Sequence, residues 1–382
     1  MINFLPFRPN QYEFDLWFQQ YDEDGGKASI YSTTERIGGR QTKVFRCFDP
    51  EFALNETFKQ IQNNPCFVGI TSGLGLVNAA MASQILLSRY SPENLLVSGI
   101  AGTNTIESPE TKEDCVCDVV VPSKWAVTDL QVQMSARATP EDPIPLEGVD
   151  YIREWPASHY YQCPVQQKEL VWTQPSHLVT EDGIVEKQFF FDADEKLLEM
   201  ANQVASSLMS EEGLYGINGN TKFLSCPSAC RNTTQARVGG GIHGGSSNTF
   251  LANAEQGLRL LKTYNISVVD METAAAAQVA TTNNVAFIGI RGISDSILQD
   301  SLNTVQDETI DIGEVSMRNA AALLNGMVKQ LCIDAAEIGG GDNNNGTTSN
   351  VDALSSSSPA TTKSVGVFSL LILCLLFNFM RR

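Results

Sequence analysis

Between Cys66 and Cys332, short apolar runs alternate with amphipathic stretches of about 10–15 residues, and this alternation narrows the fold more than anything else in the chain. CFVGITSG (Cys66–Gly73) has the pattern of a buried strand, and LGLVNAAMASQILLSRY after it has helical periodicity. NLLVSGIAG predicts a second strand, ending in a glycine turn, and CDVVVPSKWAV a third. A less periodic region from about Gln131 to Arg237 contains one helical stretch, Leu197–Met209. Then follow a glycine-rich turn, the helix AEQGLRLLKTY, the strand ISVVDM, the helix ETAAAAQVATTN, the strand VAFIGIRGI and a last helix, SMRNAAALLNGMVKQL. Strands separated by helices of this length predict an α/β fold: three layers, α/β/α, around a mainly parallel or mixed central sheet.

The two ends read differently. From Gly339 the chain is rich in Gly, Asn, Ser and Thr and too poor in apolar residues to build a core. Residues 336–363 are therefore expected to be a flexible stalk, with the folded domain spanning 1–335. Ser364–Met380 is uncharged and mostly apolar, and Arg381 and Arg382 close it. Residues 364–382 thus predict attachment to a membrane, through a short transmembrane helix or as a lipid-anchor signal behind the small residues Ser355–Ser358. The beginning, MINFLPFRPNQYEF, lacks the basic start and apolar run of a signal peptide, and without one the tail could insert post-translationally and leave the domain in the cytosol. N-x-Ser/Thr sequons at Asn55, Asn232, Asn265 and Asn345 favour an extracellular or secretory-lumen location, with a cytosol-facing tail anchor as the alternative.

Charge limits the partners. The formal net charge of −18 repels phosphate backbones, which argues against nucleic acid and makes a neutral nucleoside an easier ligand than a nucleotide. The chain has three histidines, and no cysteine has zinc-finger spacing to any of them, so no metal or other cofactor is expected.

In such a sheet ligands gather at the carboxyl ends of strands, and four of these carry suggestive residues. Ser98–Thr103 is a small-residue turn whose backbone can approach a ligand, or an ordinary strand-to-loop turn. In Gly239–Asn253, GGGIHGGSSNTFLAN, Phe250 can offer its face to a flat base, worth about 1–3 kcal/mol, or it can be plain core. The acids Asp270 and Glu272 flank Met271, and buried carboxylates need partners. Glu272 accepting two ribose hydroxyls meets that need; a helix N-terminus favouring acids is the alternative. Asp295, after Arg291-Gly292-Ile293-Ser294, is a candidate general acid, since burial raises a carboxyl pKa, or else a helix cap.

Taken together and in order, these segments resemble the nucleoside phosphorylase superfamily, especially 5′-methylthioadenosine/S-adenosylhomocysteine nucleosidases and the plant bark storage proteins. TSGLGLVNAAMASQ is similar to that family's S-G-I-G-x-V-N-A-A helix start, and SGIAGT to its strand-end turn. GGSSNTFLANA is similar to its base-contacting loop, VVDMETAAAAQVA to its V-x-M-E-x-A-A helix, and IRGISD to its R-x-I-S-D end. The resemblance implies a purine-type nucleoside as ligand. Asp295 would protonate the base with Ser294 beside it, Glu272 and Met271 would hold the ribose, and Phe250 and Leu251 would line the base pocket. Ile100 and Ala101 would lie near the phosphate or attacking water. A homo-oligomer is implied as well.

The chain also departs from the family. Val97 and Ile100 stand where phosphorolytic members carry arginine and Ser or Thr, so water is the expected nucleophile. No strand like G-I-I-G-A-M-x-E-E, with its water-orienting glutamate, occurs in residues 1–60, where neither Glu13 nor Glu35 follows such a run. Asn248 replaces the usual Asp, as in the storage branch, and Cys226 with Cys230 is similar to that branch's cysteine pair. Hydrolysis of a purine N-glycosidic bond is the leading expectation. A binding or storage protein without turnover comes second, and a phosphate-dependent phosphorylase third.

Overall fold

Strands that are apolar on both faces need cover on both sides, and the intervening helices provide it. The computed structural model of the protein describes residues 29–37, 40–48, 68–105, 115–135, 169–179, 183, 185–209, 223–224, 234–297, 312–340 and 370–373. In chain order these form β1 (Ser29–Ile37), β2 (Arg40–Phe48), β3 (Val68–Ile70), α1 (Leu76–Tyr90), β4 (Asn94–Thr103), β5 (Val119–Val121), β6 (Lys124–Val127), β7 (Gln131–Ser135) and β8 (Glu169–Thr173). Next come β9 (Ser176–Val179), β10 (Val185–Gln188), β11 (Phe191–Asp192), α2 (Glu195–Met209), β12 (Ala236–Val238), β13 (His243–Ser246) and α3 (Ala254–Tyr264). The last are β14 (Ile266–Asp270), α4 (Thr273–Thr282), β15 (Ala286–Ser296), α5 (Ile312–Gly340) and β16 (Leu370–Leu373).

Twelve strands make one mixed sheet in the order β1-β2-β3-β16-β4-β14-β13-β6-β11, with β15 beside β4 and β5, and β12 beside β5. β15 runs parallel to β4 along its whole length, with a register shift between Ile293 and Asp295. β14 meets the end of β4 antiparallel, pairing Val268 with Thr103 and Val269 with Gly102. Alternation along β4 feeds two cores: Leu95 and Val97 enter one, Leu96 the other. α1 and α4 cover the first face through Ala79, Ala82, Leu86 and Ala274–Ala277. α2 and α5 cover the second through Leu197, Val204, Leu323, Leu324 and Met327. The expected three-layer α/β/α fold around a mixed sheet is borne out.

Glycine gives these layers their close contacts. Trp125, fully buried, lies where a Cβ on Gly244 would collide with its ring. A Cβ on Gly292 would run into the Ser316 carbonyl of α5, so β15 and α5 touch backbone to backbone.

Several elements differ from the sequence reading. The glycine-rich stretch 239–253 is not all loop: His243–Ser246 is an internal strand between β14 and β6. The expected single strand over CDVVVPSKWAV breaks at Pro122 into β5 and β6, because proline cannot donate to a ladder. β1 and β2 form an antiparallel hairpin in a region with no assigned structure. α5 continues to Gly340, so 336–340 is helix rather than stalk; Ala335-Ala336-Glu337 are good helix formers. Residues 341–363 lie outside the described residues.

The expected membrane segment 364–382 is described only at Leu370–Leu373, where it is extended rather than helical and pairs parallel with β3 and β4. A short leucine-rich run suits a buried parallel strand as well as a bilayer, and periodicity does not separate the two. Among the described residues no helix is long and apolar enough to cross a membrane. Of the sequon asparagines, Asn265 is described: it ends α3 in the left-handed conformation, and its Nδ2 donates to the Gly241 carbonyl. Cys226 and Cys230 lie outside the described residues, while Cys115 and Cys117 are each disulfide-bonded.

Candidate active site

The ends of β4, β14 and β15 meet the loop after β13 around an open cleft of about 350 Å³, part of it solvent space. Ile100, Ala101, Phe250, Leu251, Met271, Ser294 and Asp295 all line it, so seven of the eight residues singled out from the sequence share one cavity. Glu272, the eighth, does not. Gly102 and Asp270 line it too.

Asp295 is brought here by the register shift at the end of β15, which sets it opposite Gly102. It is 9% exposed, and burial pushes its pKa up while the Ser294 hydroxyl, donating to Oδ1 at 2.7 Å, pulls the other way. A Cβ on Gly102 would stand 3.0 Å from Asp295 Oδ2, so the glycine leaves the carboxyl room. The result is a carboxyl that holds its proton more firmly than usual and faces a cleft, which is what a general acid needs.

Beneath the cleft lies a charged network. Arg291 pairs with Asp270 at 2.7 Å, both side chains essentially without solvent. Thr273 Oγ1 accepts from Arg291 Nε at 2.9 Å and itself donates to Asp270. Ser246 donates to the same carboxylate, and Arg291 Nη1 reaches the Ile100 carbonyl at 3.3 Å. The network joins four segments that frame the cleft: β4, β13, β14 with the start of α4, and β15.

Glu272 sits behind Met271, 2% exposed, with Oε1 accepting from the Gly75 N–H at 2.8 Å at the start of α1. Its pKa is pushed up to about 8, chiefly by burial and then by the Asp270 charge, against Arg291 and the Gly75 and Met271 N–H groups. The folded protein therefore favours the protonated form. Ionising Glu272 works against the fold, so stability is expected to fall as pH rises from about 4.5 to about 8. Urea unfolding across that range should show a shallower decline in Glu272→Gln than in the wild type.

The base-side wall is held by main chain. Ser247 N–H donates to the Asp270 carbonyl at 3.1 Å, and Thr128 N–H to the Ser246 carbonyl at 2.8 Å. Leu251 packs on the core of α3. Phe250 is 37% exposed, so it is not plain core. His243, in the same glycine-rich run, lies away from the cleft lining with Nδ1 3.2 Å from the Tyr264 carbonyl. Among the described residues no group of three or more His, Cys, Asp or Glu could hold a metal ion.

A family model described as "Phosphorylase superfamily" matches residues 49–329, most of the chain and all of this cleft. The chain belongs to the phosphorylase superfamily. Its relatives include a 5′-methylthioadenosine/S-adenosylhomocysteine nucleosidase of Treponema pallidum, 27% identical over 66% of this chain and 73% of that protein. Another nucleosidase of the same name, from Tolumonas auensis, is 26% identical over 68% of this chain and 80% of its own. The solved futalosine hydrolase of Helicobacter pylori has a TM-score of 0.49 and 15% identity over 83% of this chain and 93% of that one.

Within this superfamily member, sequence reasoning missed the Asp270–Arg291 pair and Gly102. A lone arginine inside an otherwise apolar strand was the available signal, because a buried guanidinium requires a counter-charge.

Proposed function

We propose that the protein hydrolyses the N-glycosidic bond of purine-type nucleosides, with Asp295 as general acid. The observation that carries this reading is the buried, proton-retaining carboxyl of Asp295 in one cleft with the exposed ring of Phe250 and with Met271. The base rests against Phe250 and Leu251, and Met271 holds the ribose. Glu272, buried outside the cleft lining, acts on that side from beneath, tying the head of α4 to the start of α1 through the Gly75 N–H. As the C1′–N bond breaks, its electron pair moves into the base and Asp295 supplies the proton that neutralises it. Water oxygen bonds to C1′ and its surplus proton leaves to the ionised Asp295 or to solvent.

Water is favoured over phosphate by the lining. No lysine, arginine or histidine is among the described residues that line the cleft, and Arg291 beneath it is committed to Asp270. A phosphate dianion finds no partner charge there. The two nucleosidase relatives support the same reaction class. The disulfide-bonded Cys115 and Cys117 support a secretory or extracellular location, where disulfides persist.

The test is chromatography of adenosine, inosine and 5′-methylthioadenosine incubated with purified protein in phosphate-free buffer. Free base and free sugar are expected in equal amounts, at a rate that added phosphate leaves unchanged. A phosphate-dependent rate would replace hydrolysis with phosphorolysis. Calorimetric binding without base release would make the protein a binding or storage member of the superfamily.

A further inference from the structure

Asn248 stands at the junction of three elements. Its backbone N–H donates to Asp129 Oδ2 at 2.8 Å, and its side-chain Nδ2 donates to the same oxygen at 3.0 Å. Its Oδ1 accepts from the Leu76 N–H at 3.1 Å, in the first turn of α1. The neighbouring N–H of that turn, on Gly75, is the one that Glu272 takes. Two successive amides at one helix start thus hold the residue behind the ribose side of the cleft and the loop that carries its base side.

The chemistry of the position is asymmetric. One end of the side chain donates to a carboxylate while the other accepts from a main-chain N–H; a neutral carboxamide does both, and an ionised carboxylate can only accept. An aspartate here would face Asp129 at hydrogen-bond distance with no proton between them, and like charges at that separation repel. The two residues after Asn248 in the chain, Thr249 and Phe250, are exposed cleft-lining residues, so whatever fixes Asn248 sets where the Phe250 face stands.

We propose that Asn248 is a positioning residue that latches the base-side wall of the cleft to Asp129 and α1, and that its carboxamide is specifically matched to the Asp129 carboxylate. The proposal deepens the nucleosidase reading and rests on it for its kinetic test. The asparagine is then a matched partner to Asp129 and no sign of a failed site.

The experiment compares the wild type, Asn248→Asp, Asp129→Asn, and the two substitutions combined. In Asn248→Asp the KM for the best nucleoside is expected to rise about tenfold with kcat changed less than about twofold, because the wall moves while Asp295 does not. In the combined variant the carboxylate and the carboxamide have changed places. KM should return to within about threefold of wild type, a recovery that a merely structural defect would not give. Hydrogen exchange gives a readout free of turnover: amides of residues 247–251 should exchange faster in Asn248→Asp and return to the wild-type rate in the combined variant. Unchanged exchange and KM in Asn248→Asp, or a combined variant no better than the single one, overturns the latch. If the wild type neither binds nor cleaves nucleosides, the functional reading falls, and the exchange rates alone decide the latch.

Discussion

Replacing Asp295 by asparagine is expected to lower kcat for base release by about 10²–10⁴-fold while leaving nucleoside affinity within a few-fold of the wild type. Asparagine has nearly the shape of the carboxyl and can keep the contact with the Ser294 hydroxyl, now 2.7 Å away. It has no acidic proton to give to a leaving base. The pH dependence has a definite sign. Burial raises the Asp295 pKa, so the protonated, active form survives to higher pH than for an ordinary aspartate. kcat/KM should be highest on the acid side of that raised pKa and decline above it, and this limb should vanish in the variant. Folding gives an internal control: asparagine removes a carboxyl whose ionisation the fold disfavours, so the variant should unfold at no lower urea concentration near neutral pH. A variant that releases base at the wild-type rate would remove Asp295 from the mechanism.

The parts of this molecule that were legible in sequence are those where one short segment decides the outcome alone. β4, β14 and β15 are buried on both faces, so they read as apolar runs, and α1, α3 and α4 between them keep a helical period. The motif residues at the ends of those strands converge because strand ends in one sheet converge. What was not legible depends on partners far along the chain. Half of β13 is glycine, Gly244 and Gly245 leaving room for Trp125 and Ile266, and glycine by itself argues for a turn. Glu272 was expected in the cleft; its carboxyl instead bonds Gly75, 197 residues away, which no local pattern encodes. The β1–β2 hairpin was readable in principle, since two β-rich runs flank Gly38-Gly39.

The second large effect concerns stability. Arg291→Met is expected to destabilise the protein by about 3–5 kcal/mol, measured as a shift in urea unfolding followed by tryptophan fluorescence. Methionine fills much of the space of the arginine stem, so the loss comes from charge: Asp270 would be left without its counter-ion in a site where its side chain is 1% exposed. Two hydroxyls would still donate to that carboxylate, from Ser246 and Thr273, but hydroxyl groups do not replace a full positive charge. The decisive comparison is Arg291→Met combined with Asp270→Asn, in which no charge remains to be buried unpaired. Much of the lost stability should return there, because the penalty belongs to the orphaned carboxylate and not to the missing bond. Catalysis should not return with it. Arg291 also holds the Ile100 carbonyl, and Asp270 accepts from the N–H groups of Glu272 and Thr273, so the pair sets the spacing between β4 and the head of α4 on which Met271 and Glu272 depend. A combined variant that regains stability yet keeps a raised KM separates the two roles of one ion pair; a combined variant as unstable as the single one would mean that the network is held by shape alone.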